Sequence, residues 1–319
     1  MKYIRNFVLG LIVVLLLGTV GCGGQNGGTG KQANNSASNS KSTVTALDLQ
    51  KSAYFVTVDW LKDNLNNVVL LDARKDTDYN KGHIPGAINA TWQSFANMDG
   101  KPGQPNWGTL LPADKLAVKI GSLGIDGKKT VIVYADPSGW GEDGRVVWTL
   151  KMAGITDAKM LDGGWKAWKA VGGQITQEVP SPKPVQFTIK AMDENFNATT
   201  DWIIQNSSHI KIVDVRSEKE YQGATDFGEA RGGHLPQAIN LPFTKSFNSD
   251  GTIKSTDELK QIFTQAGLRP EDEIVTYCTK GIRSAHMALL LRMAGFTKTR
   301  NYDASFYEWA GNTSLPLEK

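Results

Sequence analysis

The stretch EIVTYCTKGIRSAHMALLLRMAG (residues 273–295) decides how the whole chain is read. Its apolar run to Tyr277 is short enough for a buried strand. A tight turn follows at Cys278–Gly281, and then an apolar segment of helix length that stops at Gly295. The same pattern occurs earlier as VIVYADPSGWGEDGRVVWTLKMAG (131–154), with Asp136 in the cysteine's place. In parallel α/β sheets a strand leads through a loop directly into a helix, and sites form beyond the carboxyl ends of the strands.

Further matches lie on both sides of this pair. VTVDWLKDNL around Trp60 matches NATTDWIIQN around Trp202, and LDGGWKAW matches YDASFYEW. VVLLDARKDTDYNKGHIPGAINA (68–90) matches IKIVDVRSEKEYQG…GGHLPQAINLP (210–242). Trp60 to Trp202, Asp72 to Asp214 and Asp136 to Cys278 share one offset of 142 residues. The chain therefore holds two copies of one domain, at 45–178 and 192–319. Between them residues 179–191 carry Pro180, Pro182 and Pro184 and read as an extended linker. Each copy begins with a helix capped near Thr57 or Thr200, and its strands are apolar on both faces. The fold class is α/β, with two small parallel sheets flanked by helices.

The 319 residues suffice for two such domains, and 40% apolar with 21% charged residues is a globular composition. A net charge of +3 gives no reason to expect nucleic acid or an acidic partner. The first 21 residues stand apart. Lys2 and Arg5 precede an apolar run of 14, Phe7–Val20, which ends at GCGG. This run suits a signal segment and is short for a membrane span. Small residues before Cys22 resemble a bacterial lipoprotein signal, with cleavage after Gly21 and lipid on Cys22, although Thr19 departs from the usual leucine. Residues 22–44 are rich in Gly, Asn and Ser and read as a flexible tether. The expectation is a lipid-anchored, extracytoplasmic body in the cell envelope. Cys22 and Cys278 are the chain's two cysteines, so lipidation of the first leaves the second unpaired.

The loop CTKGIRS (278–284) collects features that favour a thiolate. Gly281 lets the backbone turn its amides inward, the following helix points its N-terminus at the sulfur, and Lys280 and Arg283 add two positive charges. A thiol pKa well below the free value of ~8.5 is expected, together with a pocket for an anionic substrate. In the first copy Asp136 cannot carry sulfur, and Glu142 and Asp143 are expected to repel anions. That copy reads as a structural partner closing one side of the pocket.

At this point the residues carry a family resemblance. YCTKGIRS resembles the active-site loop of rhodanese-type sulfurtransferases, and DVRSEKEYQG…GHLPQAINLP and LDGGWKAW resemble two further signatures of that family. The resemblance implies a tandem rhodanese with an inactive first copy and a catalytic second copy. It further implies that Cys278 takes a sulfane sulfur as a persulfide and passes it to cyanide, a thiol or a protein acceptor, with no cofactor or metal. Thr279, Lys280, Gly281, Ile282 and Arg283 would bind the donor. The four residues between Cys278 and Arg283 suit sulfur on the cysteine, whereas rhodanese-like phosphatases have five. Lys280 favours thiosulfate as donor over 3-mercaptopyruvate, which remains the alternative, as does a sulfur-carrier module serving a protein partner.

Two-domain members often place an arginine before the tyrosine of the Asp-x-Arg segment; here Glu220 stands there, and Arg231 is the candidate replacement. Asp214, Arg216 and His234 have counterparts in Asp72, Arg74 and His83, which argues for structural support in both copies. His286 has no counterpart, Arg145 or Val146 standing at its place, and is given no role.

Overall fold

The computed structural model describes residues 46–319, with side chains from Leu49 onward; the signal segment, Cys22 and the tether expected at 1–44 lie outside them. The described residues form one compact unit. The first copy contains strands β1 (Phe55–Val56), β2 (Val69–Asp72), β3 (Ile88–Asn89), β4 (Val131–Tyr134) and β5 (Ala158–Leu161). Its helices are α1 (Ala46–Ser52), α2 (Val58–Asn64), α3 (Asp76–Tyr79), α4 (Ala113–Ser122), α5 (Glu142–Met152) and α6 (Gly164–Ala170). The second copy repeats the order with β6 (Asn197–Ala198), β7 (Ile210–Asp214), β8 (Ile239–Asn240), β9 (Glu273–Tyr277) and β10 (Thr299–Tyr302). Its helices are α7 (Thr200–Asn206), α8 (Glu218–Tyr221), α9 (Thr256–Gln265), α10 (Ile282–Met293) and α11 (Ser305–Gly311).

Both sheets are parallel throughout, in the orders β1-β5-β4-β2-β3 and β6-β10-β9-β7-β8. The central strands β4 and β9 are buried on both faces, and this explains the unbroken apolar run of β4 and the predominantly apolar run of β9, whose Thr276 hydroxyl donates to the Ser284 carbonyl. Helices α2 and α7 are capped by Thr57 and Thr199, whose hydroxyls accept from the Trp60 and Trp202 amides, and in the first copy α1 precedes the capped helix expected to open it. The second cap is thus Thr199, one residue before the expected Thr200, because Thr200 is already helical. Residues 179–189 have no regular structure and run across α4, where Val185 N–H donates to the Gly121 carbonyl (3.0 Å).

The two copies meet through α5 and α10, the helices that follow the matched loops. Gly144 on α5 makes the close approach possible: a Cβ there would lie 2.3 Å from His286 Cδ2 on α10. Phe55, Phe243 and Phe247 surround the His286 ring. Burial pushes His286 down to about 3 and raises the neighbouring Asp143 to about 7. Near neutral pH the imidazole is therefore uncharged, and the 3.9 Å approach between them is a packing contact. Packing α5 on α10 sets the loops after β4 and β9 side by side.

Candidate active site

Cys278 follows directly on β9, and its side chain is 1% exposed. Gly281 is the N-cap of α10 and adopts φ 79°, a left-handed conformation natural to glycine. A Cβ there would also lie 2.3 Å from the Asp303 carbonyl oxygen. The turn brings the Lys280 and Ser284 amides to the sulfur, and the Ser284 hydroxyl donates to Sγ at 3.6 Å. Burial opposes ionisation of Cys278 most strongly, but the Arg283 charge and the donors from Ser284 and Lys280 outweigh it and bring the thiol below its ordinary value. The Cys278 N–H donates to Ser305 Oγ at 3.0 Å.

The two loop cations have different environments. Arg283 is clamped by Glu220, with Nη1 to Oε2 at 2.9 Å and Nη2 to Oε1 at 2.7 Å, and Thr279 joins both residues. Burial alone would raise the Glu220 carboxyl, but Arg283 and the Ser217 cap hold it at about 2. The two expected positive charges are present but not equivalent: Glu220 offsets Arg283, although Arg283 keeps its Nε without a protein partner. Lys280 instead projects its ammonium among the rings of Trp92, Trp107 and Tyr307, 5.3–5.7 Å from their centroids. Burial pushes this ammonium below the usual lysine range, against the pull of the Cys278 thiolate.

Arg231 does not supply the missing charge. Its guanidinium donates to four carbonyls, those of Trp309, Ala310, Asn312 and Leu315, at and beyond the end of α11. A guanidinium committed to orphan helix-end carbonyls is a structural clamp. The Ile282 side chain is packed in the core, so only its backbone is available to a ligand. Asp214 and Arg216 form a buried bidentate pair, and Arg216 also donates to the Gly233 carbonyl while Tyr277 Oη donates to Asp214. Asp72 and Arg74 repeat this arrangement in the first copy. His234 stacks on Tyr221 as His83 stacks on Tyr79.

The first copy contributes more to the site than its sequence suggests. Arg145, on α5 and 1% exposed, donates to the Gly281 carbonyl at 3.3 Å and pairs with Asp303. Trp140 lies over the Arg283 guanidinium at 4.6 Å, and Trp92 and Trp107 also come from this copy. The expected repulsion of anions at the first loop is not what its surroundings provide. Asp143 is turned into the α5–α10 contact, while Asp136 and Glu142 share a cavity of about 570 Å³ with Arg74, Lys75, Lys81 and Lys169. Ser284 and Ser305 were visible in the quoted segments but carried no distinguishing signal; the remaining contributors are distant in sequence.

The strand ends correct one expectation: Tyr134 pairs with Asp72 as Tyr277 does with Asp214, so Ala135, whose carbonyl accepts from Trp165 N–H as that of Cys278 does from Phe306 N–H, and not Asp136, stands in the cysteine's place. A buried thiol in an amide-lined turn, in one of two copies of a parallel α/β domain, defines the class, and comparison with known proteins agrees. The Rhodanese-like domain family matches residues 57–171 and 199–312, and the chain belongs to that family. It is 33% identical over 290 residues to a putative thiosulfate sulfurtransferase of Saccharopolyspora erythraea, covering 85% of this chain and 98% of the relative. It is 31% identical over 280 residues to the sulfur carrier protein TtuD of Thermus thermophilus, covering 83% of this chain and 96% of the relative. The thiosulfate sulfurtransferase of Corynebacterium glutamicum is 30% identical over 278 residues, covering 82% and 89%. Among solved structures, the anaerobic ergothioneine biosynthesis enzyme of Chlorobium limicola shares the fold with a TM-score of 0.77 at 21% identity, covering 85% of this chain and 71% of that one.

Glu220 also allows a test of the site's electrostatics. Glu220→Gln removes the charge that offsets Arg283, so the Cys278 midpoint is expected to fall further, by roughly one pH unit, equivalent to about 1.4 kcal/mol. Ultraviolet absorbance of the thiolate during a pH titration reads this directly. A midpoint that rises would show that Glu220 favours the thiolate by positioning Arg283.

Proposed function

We propose that the protein is a thiosulfate sulfurtransferase that carries sulfane sulfur as a persulfide on Cys278. The observation that carries this reading is a buried thiol whose pKa is lowered by Arg283 and by donors from Ser284 and Lys280. The Cys278 thiolate attacks the outer sulfur of thiosulfate, the S–S bond of the donor breaks, and sulfite leaves with the bonding pair. Lys280 and the Nε of Arg283 are the cationic donors for the sulfite oxygens, and the loop amides hold the persulfide. Cyanide or a thiol then attacks the outer sulfur, and Cys278 departs as thiolate. This chemistry calls on no metal or cofactor.

The test is incubation with thiosulfate in the absence of acceptor. One equivalent of sulfite and a mass gain of one sulfur atom are expected, and cyanide should then release thiocyanate. No sulfite burst with thiosulfate would overturn the donor assignment, and release of one equivalent of pyruvate with the same mass gain from 3-mercaptopyruvate alone would replace it. The likeness to a named sulfur carrier supports a second reading, delivery of the persulfide to a protein partner. Slow turnover with small acceptors after fast loading would favour it.

We further propose export and lipid anchoring through Cys22, on the strength of Lys2, Arg5, the apolar run and the GCGG junction. Cys22→Ala is expected to move the protein from the membrane fraction to the soluble fraction; unchanged partitioning would refute the anchor.

A further inference from the structure

The catalytic copy contains a segment that its twin lacks. His83 matches His234 at an offset of 151, against 142 at the preceding Asp72–Asp214 match, so nine residues are inserted between them. The insertion spans residues 223–231, GATDFGEAR. Its start is held by the Lys219–Asp226 ion pair (2.9 Å), and its end by Arg231 on the carbonyls beyond α11. In the middle, Tyr307 Oη donates to the Phe227 carbonyl (2.5 Å), and the Phe227 ring packs edge-on against Trp140 at 4.9 Å. Trp140 covers Arg283, and Tyr307 borders Lys280. The strap therefore touches the shell of the catalytic loop on two sides.

Glu229 lies within this strap and is 6% exposed. Its Oε2 accepts from the Phe227 N–H at 3.0 Å, and its Oε1 has no protein partner. A buried carboxylate oxygen left unpaired is costly, and a glutamine could accept the same N–H without burying a charge. Two titratable groups bordering the catalytic loop, Lys280 and Tyr307 of α11, lie within reach of its field. Its charge acts on both, and both also feel the Cys278 thiolate. Arg231, two residues along, is occupied by carbonyls.

Resting on the sulfur-transfer reading above, we propose that Glu229 relays the proton in the second half-reaction, with a neutral thiol as the sulfur acceptor. The acceptor's sulfur attacks the outer sulfur of the Cys278 persulfide anion while its proton passes to Glu229 Oε1. The bond between Cys278 Sγ and the outer sulfur breaks, and Cys278 departs as thiolate with the bonding pair. Glu229 returns the proton to the transferred sulfur, so a neutral hydropersulfide leaves and both protein groups are restored. Loading from thiosulfate moves no proton, and neither does return of the sulfur to sulfite.

The test uses the full chain loaded with thiosulfate and freed of excess donor, with 2-mercaptoethanol and sulfite as alternative acceptors. In Glu229→Gln the ratio of the thiol rate to the sulfite rate is expected to fall by on the order of a hundredfold, the lower end of general-base effects. Its thiol rate should then climb with pH in step with ionisation of the acceptor, whereas the native rate should depend on pH less steeply. Glu229→Asp keeps a carboxylate and should retain the native profile at reduced rate. A Glu229→Gln protein that loads sulfur and keeps the native ratio and profile overturns the relay alone. A native protein that never loads sulfur overturns the sulfur-transfer reading beneath it.

Discussion

Cys278→Ser is expected to abolish transfer from thiosulfate, by roughly a thousandfold or more, as when an enzyme loses its nucleophile. A serine hydroxyl does not ionise in the range that Arg283 and the Ser284 and Lys280 donors can reach, and oxygen does not hold a sulfane sulfur. The fold should be retained, because the new hydroxyl occupies nearly the same buried space and keeps Ser284 as a hydrogen-bond partner. The measurements are the sulfite burst, thiocyanate formation and a thermal melt; turnover within tenfold of native would refute the assignment. The native protein supplies the matching pH test. Protonation removes the nucleophile, so the burst rate falls on the acid side of the Cys278 midpoint. Because that midpoint is lowered, the fall is expected below the free-thiol value of ~8.5. A midpoint at or above that value would remove Arg283 and the loop donors as the source of reactivity.

The fold was legible because its evidence is local and occurs twice. VIVY is apolar at every position and EIVTY nearly so beyond Glu273, as strands covered on both faces require, and the two segments recur in the same order within each copy. The nucleophile was legible for the same reason: Cys278, Gly281 and Arg283 are neighbours in the chain. The limit of such reading lies at contacts between distant residues. Arg283 looked like a free cation because Glu220, 63 residues away, shows no sign in the sequence of turning towards it. Arg231 looked like a substitute because it precedes GGHLPQ, yet the carbonyls it binds lie 78 to 84 residues later. Trp92 and Trp107 belong to the copy without a nucleophile, and nothing in their spacing assigns them to Lys280.

The repeat nevertheless explains why the copy without the cysteine matters. The loop after β4 runs over residues 135–141 and that after β9 over 278–281, so the two helices align from their ends, Met152 with Met293, and Arg145 falls against His286. Each of these residues is presented to the other copy. His286 packs on Gly141 and Gly144 beside Asp143, while Arg145 reaches the catalytic turn at Gly281. One position therefore fills an apolar pocket in one direction and tethers the persulfide loop in the other.

Removing that tether should cost both stability and rate, and the two losses can be separated. Arg145→Met leaves the Asp303 carboxylate buried, with the Leu110 N–H as its remaining hydrogen-bond donor. Breaking a buried pair from one side costs about 3–5 kcal/mol. At roughly 2–4 °C per kcal/mol for domains of this size, a melting-point drop of about 10 °C is expected. Adding Asp303→Asn removes the stranded charge and should recover most of that drop, giving a large coupling in a double-mutant cycle. Activity should not recover with it. The Gly281 carbonyl has lost the Arg145 donor in both variants, and a small misplacement of reacting groups costs up to about a hundredfold in rate. The expected result is a double variant close to native in stability and still at least about tenfold slow in the sulfite burst. Recovery of both together would mean that Arg145 serves the fold alone, and that the first copy does not position the Cys278 turn through this residue.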